Sequence, residues 1–168
     1  MPTYTEAELP TFEEYAAAAW PSLYRRAYLL CGNHADAEDL AQASLIKIHA
    51  SWTKVSRAES PHAYVRRILT NTFLSTKRHK GRRLELLAGD HAPEPTSPPV
   101  EGPEDRMALW PHVRDLPKRQ RAVIVLRYYE QLSEAEIADA LDCSRGNVKS
   151  TAHRALQNLR TALDGRDE

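Results

Sequence analysis

Between Leu84 and Asp105 the chain cannot build a regular element. Pro93, Pro95, Pro98, Pro99 and Pro103 each lack an amide donor and fix their own φ. Glu85, Asp90, Glu94, Glu101, Glu104 and Asp105 add negative charge with no lysine or arginine to oppose it, and little here could form a core. The stretch reads as a flexible linker, which at ~3.3 Å per extended residue reaches roughly 70 Å. It divides the chain into a first domain over residues 12–83 and a second over 106–163, with loose tails at 1–11 and 164–168. The remaining question is how two small halves each bury their apolar residues.

Both halves keep a helical period. Phe12, Tyr15, Ala16, Ala19, Leu23, Ala27 and Leu30 recur at helical spacing up to Gly32-Asn33, with Pro21 predicting a bend or break near Trp20. A second helix is expected from about Asp36, with Ala37, Leu40, Ala41, Ser44, Leu45, Ile48 and Trp52 facing inward. Its first turn holds Asp36, Glu38 and Asp39, which suit the positive end of the helix dipole. Trp52 to Ser60 reads as a polar loop. Ser60-Pro61 then starts a helix by cap and first-position proline, continued by Tyr64, Val65, Ile68, Leu69, Thr72 and Phe73. In the second half Met107, Leu109, Trp110, Val113 and Leu116 form one helical pattern. Pro117 opens another with Lys118, Arg119, Arg121 and Arg127 on its outward side. No strand pattern occurs, so the fold class is all-α, two small helical domains joined by a flexible linker.

The last two helices carry the most specific local pattern. Ser133 caps a short helix with Ile137, Ala138 and Leu141 on one face. Asp142-Cys143-Ser144 interrupts it, and Ser144 caps a longer helix with Val148, Ala152, Ala155, Leu156 and Leu159 inward. Arg145, Asn147, Lys149, Ser150, His153 and Arg154 lie on the other face. Helix, tight turn and a basic, polar second helix make a helix-turn-helix, whose second helix enters the DNA major groove. An all-α hairpin with solvated charges looks similar, so the rest of the chain has to decide. Residues 54–83 decide toward nucleic acid, because Glu59 is their only acid while Arg66, Arg67, Lys77, Arg78, Lys80, Arg82 and Arg83 interleave with His62, Tyr64, Asn71 and Ser75.

Overall charge is balanced, with Lys+Arg 23 against Asp+Glu 23, so attraction to DNA has to come from local segregation of charge. Cys31 and Cys143 are far apart and read as small buried residues in a reducing compartment, and Cys31 with His34 is too little for a metal site. Neither a signal peptide nor a membrane-spanning run occurs, and the expected location is cytoplasmic. The acidic cluster has no companion nucleophile or base at a useful spacing, so no enzyme, metal or cofactor is expected.

Taken in order, the motifs resemble the extracytoplasmic-function group of bacterial RNA polymerase sigma factors, and its actinobacterial sigma-E-like members in particular. DAEDLAQASLIKIHASW at Asp36 to Trp52 is similar to the core-binding helix of their second region. AYVRRILTNTFLSTKRHKGRR at Ala63 to Arg83 resembles the minus-ten reading helix. LPKRQRAVIVLRYYEQLSEAEIADALDCSRGNVKSTAHRAL at Leu116 to Leu156 resembles the fourth region, which reads the minus-thirty-five element. The resemblance implies a sigma factor that binds polymerase core, selects promoters and helps melt them. It places Asp36, Glu38, Asp39, Gln42 and Ile46 against the clamp helices of the largest subunit, and the second half near the flap of the second-largest. It implies minus-ten contacts by Arg66, Arg67, Asn71, Lys77 and Arg78, and minus-thirty-five contacts by Arg119, Arg145, Asn147, Lys149, Ser150, His153 and Arg154. Promoter DNA and polymerase core are the implied partners, with an anti-sigma factor as a further one that no single residue carries.

Three departures stand out. Ala43 and Ser44 replace a common acid and threonine, Asn147 replaces threonine, and Thr151 replaces arginine. The last removes a phosphate clamp, so Thr151→Arg is expected to strengthen minus-thirty-five-dependent transcription. The alternative reading is a stand-alone helix-turn-helix regulator acting without polymerase core. It needs a dimer interface for which the sequence shows no heptad seam.

Overall fold

The computed structural model describes residues 10–76 and 104–165, which are helical with no strand among them. The proposed linker up to Pro103, both tail ends, Lys77 and Arg78 lie outside these residues. The first lobe holds α1 (Phe12–Cys31), α2 (His34–Ala50), α3 (Trp52–Arg57) and α4 (Pro61–Ser75). The second holds α5 (Glu104–Arg114), α6 (Lys118–Ile124) running on into a π-helical turn (Val125–Tyr129), α7 (Glu134–Leu141) and α8 (Arg145–Asp164).

Local chemistry sets most boundaries. Thr11 and Glu14 form a capping box that starts α1, and Gly32 at φ 80° ends it in a left-handed conformation that costs a glycine nothing. Asn33, Ser60, Ser133 and Ser144 each accept a backbone N–H at the next four side-chain-capped starts. The break expected at Pro21 does not occur, and α1 is one helix. Pro21 and Ala17, whose carbonyl loses its helical donor, are both on the exposed side, where water can replace the missing bond. The loop expected over Trp52 to Ser60 is largely helical, because one turn hides Val55 completely and packs Trp52 against Phe12 and Tyr15. Asp142 ends α7 at φ 51°, a left-handed conformation that its short polar side chain tolerates.

The two lobes pack on each other and share one apolar core. Arg121, expected on the outward side of its helix, is only 4% exposed. Its guanidinium donates to the Cys31 carbonyl at 3.1 Å across the seam, to the Leu116 carbonyl at 3.3 Å, and lies over the Phe73 ring. Lys118 was likewise expected outward, yet it donates to the Phe73 carbonyl at 3.3 Å and to the Thr76 carbonyl, so it caps the C-terminus of α4. Arg26 pairs with Glu130 at 3.3 Å, and Tyr28 stacks on Trp110, which meets Tyr129 edge-on. A Cβ on Gly32 would stand 2.5 Å from the Arg114 Cγ, so the turn between α1 and α2 admits the second lobe only because residue 32 has no side chain.

Candidate nucleic-acid interface

The outward face of α8 exists because the inward face is apolar. Val148, Ala152, Ala155 and Leu159 are buried at helical spacing against α6 and α7, which turns Arg145, Asn147, Lys149, Ser150, His153 and Arg154 to solvent. All six residues that the sequence assigned to this helix therefore share one exposed face. Arg119, at the start of α6, joins them by donating to the Asn147 side-chain oxygen at 3.4 Å. Lys149 pairs with Glu134 of the preceding helix at 3.7 Å, a solvated contact, and the Ser150 hydroxyl donates to the Asn147 carbonyl at 3.1 Å. Thr151 does not belong to this face. It is 6% exposed, in line with Val148 and Ala155, and its hydroxyl donates to Asn147 Oδ1 at 3.4 Å. The expectation that arginine at 151 would reach a phosphate fails on that geometry.

On α4, Arg67 and Asn71 are exposed one helical turn apart, and Arg66 is half-buried. Arg67 reaches across the seam to Asp142 at 3.3 Å and Asp139 at 3.9 Å. Neither aspartate was singled out by sequence, since their partner is more than sixty residues away. His62, near the start of the same helix, has its pKa lowered by burial and by the positive charges of Arg26 and Arg66, which favours the neutral ring. The buried hydroxyls of Thr70 and Thr72 donate back to the Arg66 and Ile68 carbonyls at 2.8 and 2.6 Å, and the Thr72 hydroxyl also accepts from Lys47 Nζ of α2 at 3.1 Å.

On α2, Asp36, Glu38, Asp39, Gln42 and Ile46 all lie on the exposed side, opposite buried Ala37, Leu40, Ala41, Ser44 and Ile48. Asp36 accepts from the Asn33 side chain at 2.8 Å, and Gln42 bonds Glu38 at 3.4 Å. Ile46 is 71% exposed, the most exposed large apolar side chain among the described residues. The acidic face with its open isoleucine carries a charge that repels DNA. No cluster that could hold a metal occurs among the described residues, and no described helix is long and apolar enough to cross a membrane.

A helix with an acidic face and a helix with exposed arginine in one lobe, followed by a helix-turn-helix in the other, define a two-lobed, all-helical protein of the helix-turn-helix class. Residues 17–83 match the Sigma-70 region 2 family, and residues 113–159 match Sigma-70, region 4. The chain is 38% identical over 161 residues to the RNA polymerase sigma-E factor of Streptomyces coelicolor, covering 95% of this chain and 90% of that protein. It is 35% identical to the ECF RNA polymerase sigma factor SigE of Mycolicibacterium smegmatis, covering 96% of this chain and 65% of that one. The chain belongs to the sigma-70 family of RNA polymerase sigma factors, in its extracytoplasmic-function group. Among solved structures it is similar to the sigma factor RpoE from Bartonella quintana, determined with the anti-sigma factor NepR, with 28% identity, a TM-score of 0.65 and 91% and 96% of the two chains covered. The fold is also shared with CnrH, determined with the cytosolic domain of CnrY, at 21% identity and a TM-score of 0.58, covering 92% and 88%.

Proposed function

We infer that this protein is a promoter-selecting subunit of RNA polymerase: it binds the polymerase core and directs promoter recognition, DNA melting and transcription initiation for a particular set of genes. The observation that carries this is the co-occurrence, in order, of the second and fourth sigma regions in a chain whose relatives over nearly their whole length are sigma factors. As a sigma factor it acts as a regulator, with the polymerase performing the chemistry, and its place of work is where the polymerase is, in the cytoplasm.

Three surfaces divide the work in this reading. Asp36, Glu38, Asp39, Gln42 and Ile46 dock on the clamp helices of the largest polymerase subunit, supported by their shared exposed face and by the open apolar side chain in an acidic setting. Arg66, Arg67 and Asn71, continued by Lys77 and Arg78, take the minus-ten element, where cations follow the backbone and Asn71 offers an amide to an unstacked base. Arg119, Arg145, Asn147, Lys149, Ser150, His153 and Arg154 take the minus-thirty-five element in the major groove. The second lobe meets the flap of the second-largest subunit. Arg67 is held by Asp139 and Asp142 in the free chain, so its promoter contact requires those pairs to break. An anti-sigma protein is a further partner, supported by the similarity to the sigma factor RpoE, determined with the anti-sigma factor NepR.

Addition of the protein to sigma-free polymerase core, followed by mapping of transcript starts, tests the reading. Initiation at a defined promoter set is expected. Absence of core binding would refute it, and specific promoter binding by the isolated chain at physiological salt would favour a stand-alone regulator.

A further inference from the structure

The geometry points to Asn147 as a reader that offers only hydrogen-bond donors and so specifies guanine in the minus-thirty-five element. The inference rests on α8 being the helix that enters the major groove, and concerns which base one of its residues accepts.

An asparagine side chain is ordinarily two-faced, with one acceptor and two donors, and its bidentate match in the major groove is adenine, which presents N7 to the amide nitrogen and N6–H to the amide oxygen. That match is unavailable here. Asn147 Oδ1 accepts from Arg119 Nη2 at 3.4 Å and from the Thr151 hydroxyl at 3.4 Å. The orientation of the amide is fixed by chemistry, because a guanidinium has donors and no acceptor, so only the oxygen can face Arg119. Thr151 reinforces it from the buried side, where its hydroxyl has to donate to a nearby acceptor or lose a hydrogen bond. Both contacts occupy the same oxygen, so the two hydrogens on Nδ2 are what the side chain has left to offer a base.

The backbone around this side chain is also held. The Asn147 N–H donates to the capping Ser144 Oγ at 3.1 Å, and its carbonyl accepts from Ser150. Asn147 thus sits in the first turn of α8, exposed and on the same side as Ser150, at the end of a recognition helix that approaches base edges. A donor-only group discriminates simply. Guanine presents two adjacent acceptors, O6 and N7. Thymine presents one, adenine pairs one acceptor with a competing donor, and cytosine presents a donor alone.

The test uses reconstituted holoenzyme and templates in which each minus-thirty-five position carries all four bases in turn. The wild-type protein is expected to prefer guanine at one position by roughly 5- to 100-fold over the other bases, the range that one good base contact supplies. Asn147→Asp keeps an oxygen for Arg119 and turns an acceptor toward the base, so the preference at that same position should move to cytosine while the other positions are unchanged. Arg119→Met combined with Thr151→Val releases Oδ1 and should raise adenine toward parity with guanine there, whatever the overall rate becomes, because the readout is a ratio between templates. An Asn147→Asp protein that initiates with the wild-type base profile at every position overturns the inference and leaves the sigma reading standing. Failure of the wild-type protein to initiate on any template with core overturns the sigma reading beneath it.

Discussion

Replacing Thr151 by arginine separates two ways of seating α8. In the structure Thr151 is 6% exposed, flanked on the same helical line by Val148 and Ala155, which are both fully buried. An arginine there brings several heavy atoms and a charge into a site sized for a threonine, and overpacking of a filled core costs about 1–3 kcal/mol. Loss of the Thr151 hydroxyl bond to Asn147 adds about 0.5–1.5 kcal/mol. A loss near 2–3 kcal/mol in a chain of 168 residues lowers the melting temperature by roughly 4–10 °C. The assay is thermal unfolding by circular dichroism beside transcription from a promoter with an intact minus-thirty-five element. Expected together are a lower Tm and weaker transcription, with Thr151→Val, which fits the site, losing only the hydroxyl bond's share of about 0.5–1.5 kcal/mol. A variant with unchanged Tm and stronger minus-thirty-five-dependent transcription would show that position 151 faces DNA, and the rotation of α8 argued from Val148, Ala152 and Ala155 would be wrong.

Further outcomes test other parts of the molecule. Asp139→Asn with Asp142→Asn removes both partners of Arg67 while keeping the left-handed end of α7 comfortable; the urea midpoint should report a loss below about 1 kcal/mol, as for solvated ion pairs, and a loss above 2 would show the pairs to be desolvated. Burial, reinforced by Asp36 and opposed by Arg121 and Lys118, pushes the Cys31 thiol up to about 12 from an ordinary 9.0. The folded state thus holds a proton the unfolded chain releases, and stability should fall as pH rises from 9 toward 12; Cys31→Ala should flatten that fall, and an unchanged pH profile would refute it. Ser133→Ala removes the cap of α7 and should cost about 0.5–2 kcal/mol by urea unfolding, whereas Ser133→Gly should lose less than Ser133→Ala. The Ser133 backbone N–H, and after it the hydroxyl, hold the Glu136 carboxyl below its usual range. The backbone bond survives in Ser133→Ala, so acid that protonates Glu136 should lower the stability of wild type and Ser133→Ala alike, and a Ser133→Ala protein whose stability does not fall through that titration would refute the assignment.

What sequence revealed and concealed follows the range of the forces involved. Ser60-Pro61, Ser133 and Ser144 act within one turn of themselves, so the starts of α4, α7 and α8 were readable from neighbours alone. The outward face of α8 and the acidic face of α2 followed from period, because each helix buries one side and wets the other. Arg121 was misplaced because every residue from 121 to 126 is buried, and a helix hidden on all sides has no polar stripe by which to orient it. The partners of Arg67, Lys118 and Arg121 lie across the seam between lobes, where separation along the chain carries no signal. Thr151 differs in kind. Its spacing of three from Val148 and four from Ala155 already placed it inward, and the resemblance to an arginine-bearing family outweighed a period that was correct.

The aromatic contact between the lobes has a use beyond packing. The chain has three tryptophans, and of these only Trp110 belongs to the second lobe, where it stacks on Tyr28 of α1 and meets Tyr129. Indole emission depends on the polarity around the ring, so Trp110 is an optical gauge already built into the seam. With Trp20 and Trp52 replaced by phenylalanine, its emission reports whether α1 still lies against α5, without an added dye. Titrating promoter DNA, which carries no indole of its own, into that protein would show in a single colour shift when the two lobes part.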